Sequence, residues 1–456
     1  MPHDIVHTLR EVFQVTDPAQ PLASGDPRYV ICSDVRGSED AVDYLFNTIA
    51  WQQEGAFSYQ LFSGHRGCGK STELLRLKAR LEEAGYVVVY YESQSDLDLN
   101  DVNYSDIILS IVRRVTGDLA QRGVKLDNQL LDEVEVWFAE TLYTKDQWRE
   151  LQRTLEAETA LGVDTAPQLP IVVRLLARLM GQIKSGEQVK NTIRGKLDPQ
   201  ISQLIARANL LLTEARRQLK QPLAILVDDL DKINLQDIAP GRTSHDAIYI
   251  DHGDQLCSLA AHIIYTIPIS MLYSVSAPAL RSNFPERAVL PMIKSHERDG
   301  NLYQPGMDKL REILACRIDL DKIFTPDAVE HLCRMCGGHP RDLMTLVRYT
   351  TRYPQNRWPR PLDLESAQRA VGRLITEYSR AIPEDFYPWL AQISLNKSIR
   401  NDNIHSKMLY YTMAMEYYNG QTPWYDVHPA VQELPKFQTA LIQERKKHGV
   451  AAKRSQ

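Results

Sequence analysis

The sequence predicts an α/β fold built on a mostly parallel sheet, and three observations carry that expectation. Apolar, β-branched runs alternate with amphipathic stretches of helical period, the pattern of strands joined by crossover helices. One run, "SYQLFSG" from Ser58, leads into the glycine-rich "GHRGCGKST" and then directly into a helix. Another, "LAILVDD" from Leu223, ends on two adjacent acids.

The first thirty residues read as a lead-in rich in Pro and Asp, and "DVRGSEDAVDYLFNTIAWQQ" reads as a helix. After the glycine loop, Leu74, Leu75, Leu77 and Leu81 fall near helical spacing, and Gly85 is a good stop. "YVVVYYE" (86–92) is a second strand, so strand, loop, helix and strand form one right-handed crossover unit. Further strands are expected at 223–229, 269–277 and 287–293. Between 104 and 221 only helical signals occur, which predicts an inserted helical subdomain. Within it, Asp198 and Pro199 start a helix whose stripe includes Ile201, Leu204, Ile205, Ala208 and Leu211. "LPIVVRLLARLMGQI", from Leu169, carries Arg174 and Arg178 and reads as packed within the insertion, a membrane surface or a partner being the alternative.

From Gly306 to about Asn403 the chain reads as helical, and Asn419-Gly420 then marks a hairpin turn between two β-like runs. Helices followed by one hairpin suggest a small winged-helix-like domain. The expected division is a lead-in and first helix (1–57), a core (58–300) holding the insertion, a helical lid (301–382), and the last domain with a basic tail (383–456).

Composition sets outer bounds. A chain of 456 residues exceeds one ordinary core, and its 43% hydrophobic and 24% charged residues suit a soluble globular protein. A net charge of −5 argues against an overall cationic coat, so any nucleic-acid surface must be local. The longest apolar stretch, from Ile263, contains two prolines and several hydroxyls and reads as a buried strand, not a membrane span. "MPHDIVHTLREVF" is no secretory signal, which leads to the expectation of a cytoplasmic protein. The six cysteines follow no disulfide framework. Cys333, Cys336 and His339 form C-x-x-C-x-x-H, but no second pair accompanies them and the run reads as helical, so these cysteines are expected in a core rather than on zinc.

The loop carries the chemistry. Gly64, His65, Arg66, Gly67, Cys68, Gly69, Lys70 and Ser71 match G-x-x-x-x-G-K-[ST], the phosphate-binding P-loop, with Thr72 next in the binding set. Its glycines let backbone N–H groups turn toward phosphate oxygens. Lys70 is expected to neutralise the β and γ phosphates, Ser71 to hold Mg²⁺, and the following helix to aim its positive end at the anion. Asp228 is the expected metal-shell acid at a neighbouring strand end, and Asp229 the group that orients or deprotonates the attacking water. Because Asp is one methylene shorter than Glu, slow hydrolysis is expected.

Two weaker sites follow. Ser274 or Ser276, with Ser276 preferred, is expected on the 269–277 strand where it can touch the γ-phosphate or water, a buried strand serine bonded to backbone being the alternative. In "GGHPRDL", Arg341 occupies the first turn of a helix, where the dipole favours acids, so an anion from elsewhere, the γ-phosphate, is expected there, a surface salt bridge being the alternative.

With "GHRGCGKST", "LAILVDDLDKI" and "GGHPRDL" in this order, the chain resembles the AAA+ and STAND branch of P-loop NTPases, and bacterial ATPases similar to the origin-recognition initiators in particular. The resemblance implies a P-loop NTPase core, a helical lid and a C-terminal winged helix. It implies that Arg36 in "DVRGSEDAVDYL" lies near the adenine pocket, that Arg341 senses the γ-phosphate, and that ATP and Mg²⁺ are the ligands. Asp228-Asp229 in place of Asp-Glu departs from initiators, as does the long insertion. Members of the branch commonly act as oligomerising switches, many of them controlling a separate effector in anti-phage defence. An arginine finger from a neighbouring subunit is expected from Arg281 or Arg287. The alternative is a DNA-loaded ATPase of initiator or transposition-regulator type, although the expected recognition helix offers only Lys397 and Arg400 and the hairpin carries Glu416 and Asp426. A nucleotide-binding scaffold with little turnover is a third reading.

Overall fold

The computed structural model describes residues 5–37, 39–160, 170–352 and 360–454. Leu169 and Tyr353, at the ends of two expected helical runs, lie outside the described residues.

The central sheet comprises β1 (Tyr59–Gly64), β2 (Val87–Glu92) and β3 (Leu223–Asp228), joined after a short ribbon of β4 (Asp237–Ala239) and β5 (Arg242–Thr243) by β6 (His262–Pro268) and β7 (Glu286–Leu290). Its five strands run in the order β2-β3-β6-β1-β7, and every pairing is parallel. Both faces are covered, as continuous apolar strands require. On one face Leu61, Val89, Ile225 and Ile263 join a core with the insertion helices. On the other, Phe62, Val88, Leu226 and Ile264 pack against the helices Ala41–Ala50 and Lys70–Glu83.

The insertion is entirely helical among the described residues: Tyr104–Gln121, Asn128–Leu142, Lys145–Ala160, Ile171–Ser185, Glu187–Leu197 and Ile201–Leu219. The helix carrying Arg174 and Arg178 buries Val172, Leu175, Leu176, Leu179 and Ile183 inside this unit, leaving that stripe no membrane or partner to cover. No helix among the described residues is long and apolar enough to cross a membrane.

The fourth sheet strand differs from expectation. It spans His262–Pro268, and Ile269–Tyr273 is a 3₁₀ turn instead of the start of a strand. Pro268 pairs with Gly64 as the last rung of the ladder, and a proline there has no N–H with which to continue it. The next strand stops at Leu290, one residue before Pro291, for a similar reason.

Beyond the sheet come lid helices Gln304–Ala315, Pro326–Met335, Pro340–Thr350 and Leu364–Ala381. Cys333 and Cys336 are buried in the lid core, where burial pushes both thiols upward, and His339 turns away from them toward Arg66. The last domain sets helices Tyr387–Asn396 and Asn403–Tyr410 before the hairpin β8 (Ala414–Tyr418) and β9 (Pro423–Val427), followed by helix Pro435–Arg454. The hairpin is not a free wing. Met415, Tyr417 and Trp424 are buried in the cluster that holds Phe62, Leu290 and Met292 of the sheet region.

Candidate functional site

The site forms at the carboxyl ends of β1, β2 and β3, where open parallel sheets receive ligands. β1 ends at Gly64 and the helix begins at Lys70, so residues 65–69 turn sharply between them. Gly69 caps that helix in the left-handed region at φ 112°. Gly67 has φ +88°, and a Cβ there would lie 2.7 Å from both the Arg341 Cβ and the His339 Nε2. The loop therefore needs glycine for its own path and for the lid that closes on it.

Lys70 is 5% exposed, its ammonium held by the carbonyls of Gly64 (3.0 Å) and His65 (2.9 Å) and by Asp231 Oδ2 (2.9 Å). Burial most strongly disfavours the ammonium, but Asp231, with Cys68 and Asp228 beside it, outweighs that effect and the lysine titrates above its ordinary value. Burial likewise opposes ionisation of Asp231, yet Lys70 holds that carboxyl below the usual range.

Asp228 accepts a hydrogen bond from the Tyr90 hydroxyl at 2.9 Å. Burial, followed by the Asp231 charge, pushes it up to about 6, against a hydrogen bond from the Ser71 hydroxyl. Asp229 adopts a left-handed backbone (φ 68°), and its Oδ1 lies 2.6 Å from Lys232 Nζ while its buried Oδ2 has no partner. Asp228, Asp229 and Asp231 bring one carboxylate oxygen each within 4.8 Å of one another. Together with Ser71 they form a set of hard oxygen donors suited to Mg²⁺, and the orphaned Asp229 oxygen fits such an ion.

One cavity joins these groups to the lead-in and the lid. Its polar wall includes Gly67 to Thr72, Asp229, Asp231 and Arg341, and its apolar wall includes Leu22, Val30, Ile313 and Met344. Arg36 lines it too, but donates to the carbonyls of Pro291 (2.6 Å) and Cys68 (2.8 Å), bracing the loop. Thr72 accepts the Leu22 N–H at 3.1 Å, tying lead-in to loop.

The lid and the last domain grip the loop from outside. The Arg341 N–H donates to the Gly67 carbonyl (3.3 Å) and His339 Nε2 to the Arg66 carbonyl (2.7 Å). The Arg66 guanidinium stacks on Tyr410, 4.2 Å from the ring centroid, and donates to the Asp231 carbonyl at 3.1 Å.

Several expected residues lie elsewhere. Ser276 precedes helix Ala277–Asn283, beyond the strand, and is not part of the cavity wall. Thr266 is the hydroxyl at the strand end, but it accepts the Leu230 N–H (3.0 Å) and donates to the Val227 carbonyl (3.3 Å). Arg281 sits in the last turn of helix Ala277–Asn283, and Arg287 donates to the carbonyls of Phe284 (2.5 Å) and Pro285 (3.2 Å), both outside this chain's own cavity as a finger for a neighbouring subunit would be. Lys397 is no recognition-helix residue. It ends helix Tyr387–Asn396 in the left-handed region with Nζ 2.5 Å from Asp426, and Arg400 lies in the following loop. Sequence reasoning passed over Asp231 and Glu92. "DDLDK" repeats an acid three residues after Asp228, and "YVVVYYE" ends an apolar run on an acid just as "LAILVD" does.

No family model matches the chain, and no curated protein sequence matches it. Among solved structures it is similar to Cdc6p from Pyrobaculum aerophilum, at 10% identity over 94% of this chain and 98% of that one, with a TM-score of 0.40. It is similar to the Aeropyrum pernix ORC2 protein in ADPNP and ADP complexes, at 12% identity over 98% and 99%, TM-score 0.40. A Walker-type ATPase of Pyrococcus abyssi overlaps at 12% identity over 94% and 99%, TM-score 0.41. Overlaps of this size identify no family.

Proposed function

We propose that this chain is an ATP-binding and ATP-hydrolysing switch of AAA+/STAND type, in which nucleotide sets how the lid and the last domain are held on the core. The observation that carries the reading is the loop's double role. The backbone that would cradle phosphate is the backbone that receives Arg341 and His339 of the lid, and its His65 side chain accepts the Glu416 N–H of the hairpin. A triphosphate entering the loop competes with Asp231 for Lys70 and so alters contacts that reach two other domains. Ser71 and Asp228, joined by Asp229, would hold Mg²⁺, which when bound supplies positive charge against the β and γ phosphates. Arg341 approaches the same phosphates from the lid.

The test is ATP binding and turnover of the purified chain beside K70A, measured alone, with duplex DNA, and with co-purifying protein. Binding and turnover that both vanish in K70A support the reading, and a variant as active as the unaltered chain sinks it. ATP-dependent assembly, followed by light scattering, is the expected switch output. Control of a separately encoded effector in anti-phage defence is supported by the family resemblance alone. It predicts that cells expressing K70A with the neighbouring genes lose phage protection.

The DNA-loaded reading has one feature in its favour: Arg298 and Arg445 line a shallow depression on the last domain, beside Asp299 and a Lys397 already held by Asp426. Duplex binding that weakens steeply with salt and falls in R445A would favour it.

A further inference from the structure

We infer that Glu92, at the end of β2, is the general base that activates water in the proposed hydrolysis, and that Asp229 is not. The inference rests on the ATPase reading and is carried by strand register. Glu92 pairs with Asp228 as the last rung between β2 and β3. Side chains alternate along a strand, so Glu92 shares the face of Val88 and Tyr90, which packs on the helix carrying Ser71. Asp228 shares that face with Ala224 and Leu226. The two carboxyl groups thus leave adjacent strand ends on the loop side of the sheet, and Glu92 lines the cavity together with Lys70 and Ser71.

Each aspartate is tied to a neighbour, Asp229 through Oδ1 alone while its Oδ2 is unpartnered. Asp231 holds Lys70 at 2.9 Å, Asp229 holds Lys232 at 2.6 Å, and Asp228 is bonded by Tyr90 and faces Ser71. Among the described residues Glu92 has no ion pair, and its Oε2 accepts one hydrogen bond from the exposed Gln94 amide at 3.0 Å. Of the four it has the longest side chain and the weakest tether, the combination a base needs to reach a water held over a γ-phosphate. In the step, the water oxygen forms a bond to the γ-phosphorus as the bond from that phosphorus to the β,γ-bridging oxygen breaks. The water proton passes to Glu92 and the electron pair leaves with ADP. Glu92 then returns the proton to the released phosphate or to solvent.

The test compares E92Q, E92D and D229N in three readouts: steady-state turnover with Mg-ATP, equilibrium binding of a fluorescent ATP analogue, and the identity of the nucleotide retained by the protein. E92Q is expected to lower kcat by about 10²–10⁴-fold, keep ATP affinity within about threefold, and retain triphosphate in place of diphosphate. E92D is expected to fall between E92Q and the unaltered chain. E92Q turnover within about threefold of the unaltered chain overturns the assignment, and so does affinity falling in step with kcat, which marks a structural role. Absence of K70A-sensitive ATP binding in the unaltered chain instead sinks the ATPase reading, and this assignment with it.

Discussion

The Nε2 of His65, inside the P-loop, accepts the backbone N–H of Glu416 in the C-terminal hairpin at 2.9 Å across 351 residues of sequence. That bond places the proton on Nδ1, which donates to the Leu409 carbonyl at 3.2 Å. The imidazole is fully buried, and burial, then the His339 and Lys70 charges, pushes it down to about 3, so it stays neutral at working pH. Substituting His65 by alanine leaves a donor and an acceptor unpaired in the interior, a cost of about 1–3 kcal/mol. Urea unfolding should report that loss, and hydrogen exchange should quicken at 409–416. Unchanged protection there would show that the histidine does not hold the hairpin to the loop.

Lys70 and Asp231 make a second, breakable lock. D231A removes the only carboxylate bonded to the buried ammonium among the described residues and should destabilise the nucleotide-free protein by about 3–5 kcal/mol. Mg-ATP supplies replacement anions, so the difference in melting temperature from the unaltered protein should narrow when it is added. A gap of equal size with and without nucleotide would mean that phosphate does not take the place of Asp231.

The hairpin carries a titrating group. Burial pushes Glu416 up to about 7 from 4.5, while hydrogen bonds from Tyr273 and Tyr425 pull the other way. A folded-state value above the unfolded one means that the stabilisation is complete below about 4.5 and is lost as pH rises through about 7. The upper bound is about 3 kcal/mol between those limits. Melting temperature should therefore drop between pH 5 and 8, and E416Q should flatten that slope while leaving the protein more stable at pH 8. An unaltered slope in E416Q would place the titration elsewhere.

Arg341 opens the lid helix that touches Gly67. R341A should reduce kcat by about 10²-fold with a smaller change in ATP affinity, because the guanidinium is expected to bond charge that grows during transfer. Lysine should restore little, lacking the planar fork. Loss of affinity without loss of kcat would make Arg341 a ground-state contact.

Much of the fold was legible because it depends on local period and punctuation. "YVVVYYE" and "LAILVDD" could hardly be anything but buried strands, and the helical insertion declared itself by stripes such as Ile201, Leu204, Ala208 and Leu211. The strand through Ile263 was displaced because apolar residues lie on both sides of Pro268, and only pairing with β1 decides which side joins the ladder. Ser276 fell with it. Lys397 looked available to DNA until folding brought Asp426 against it.

The sequence by itself determined the glycine-rich loop between strand and helix, the acids at the strand ends and the order of the parts, since glycine conformation, strand period and residue chemistry are encoded within a few positions. Tertiary structure alone decided which acid holds Lys70, which carboxylate stands beside Asp228, and that a hairpin from the far end of the chain is bonded to the loop. Those relations depend on strand register and on contacts between residues more than a hundred positions apart, and no local pattern records them.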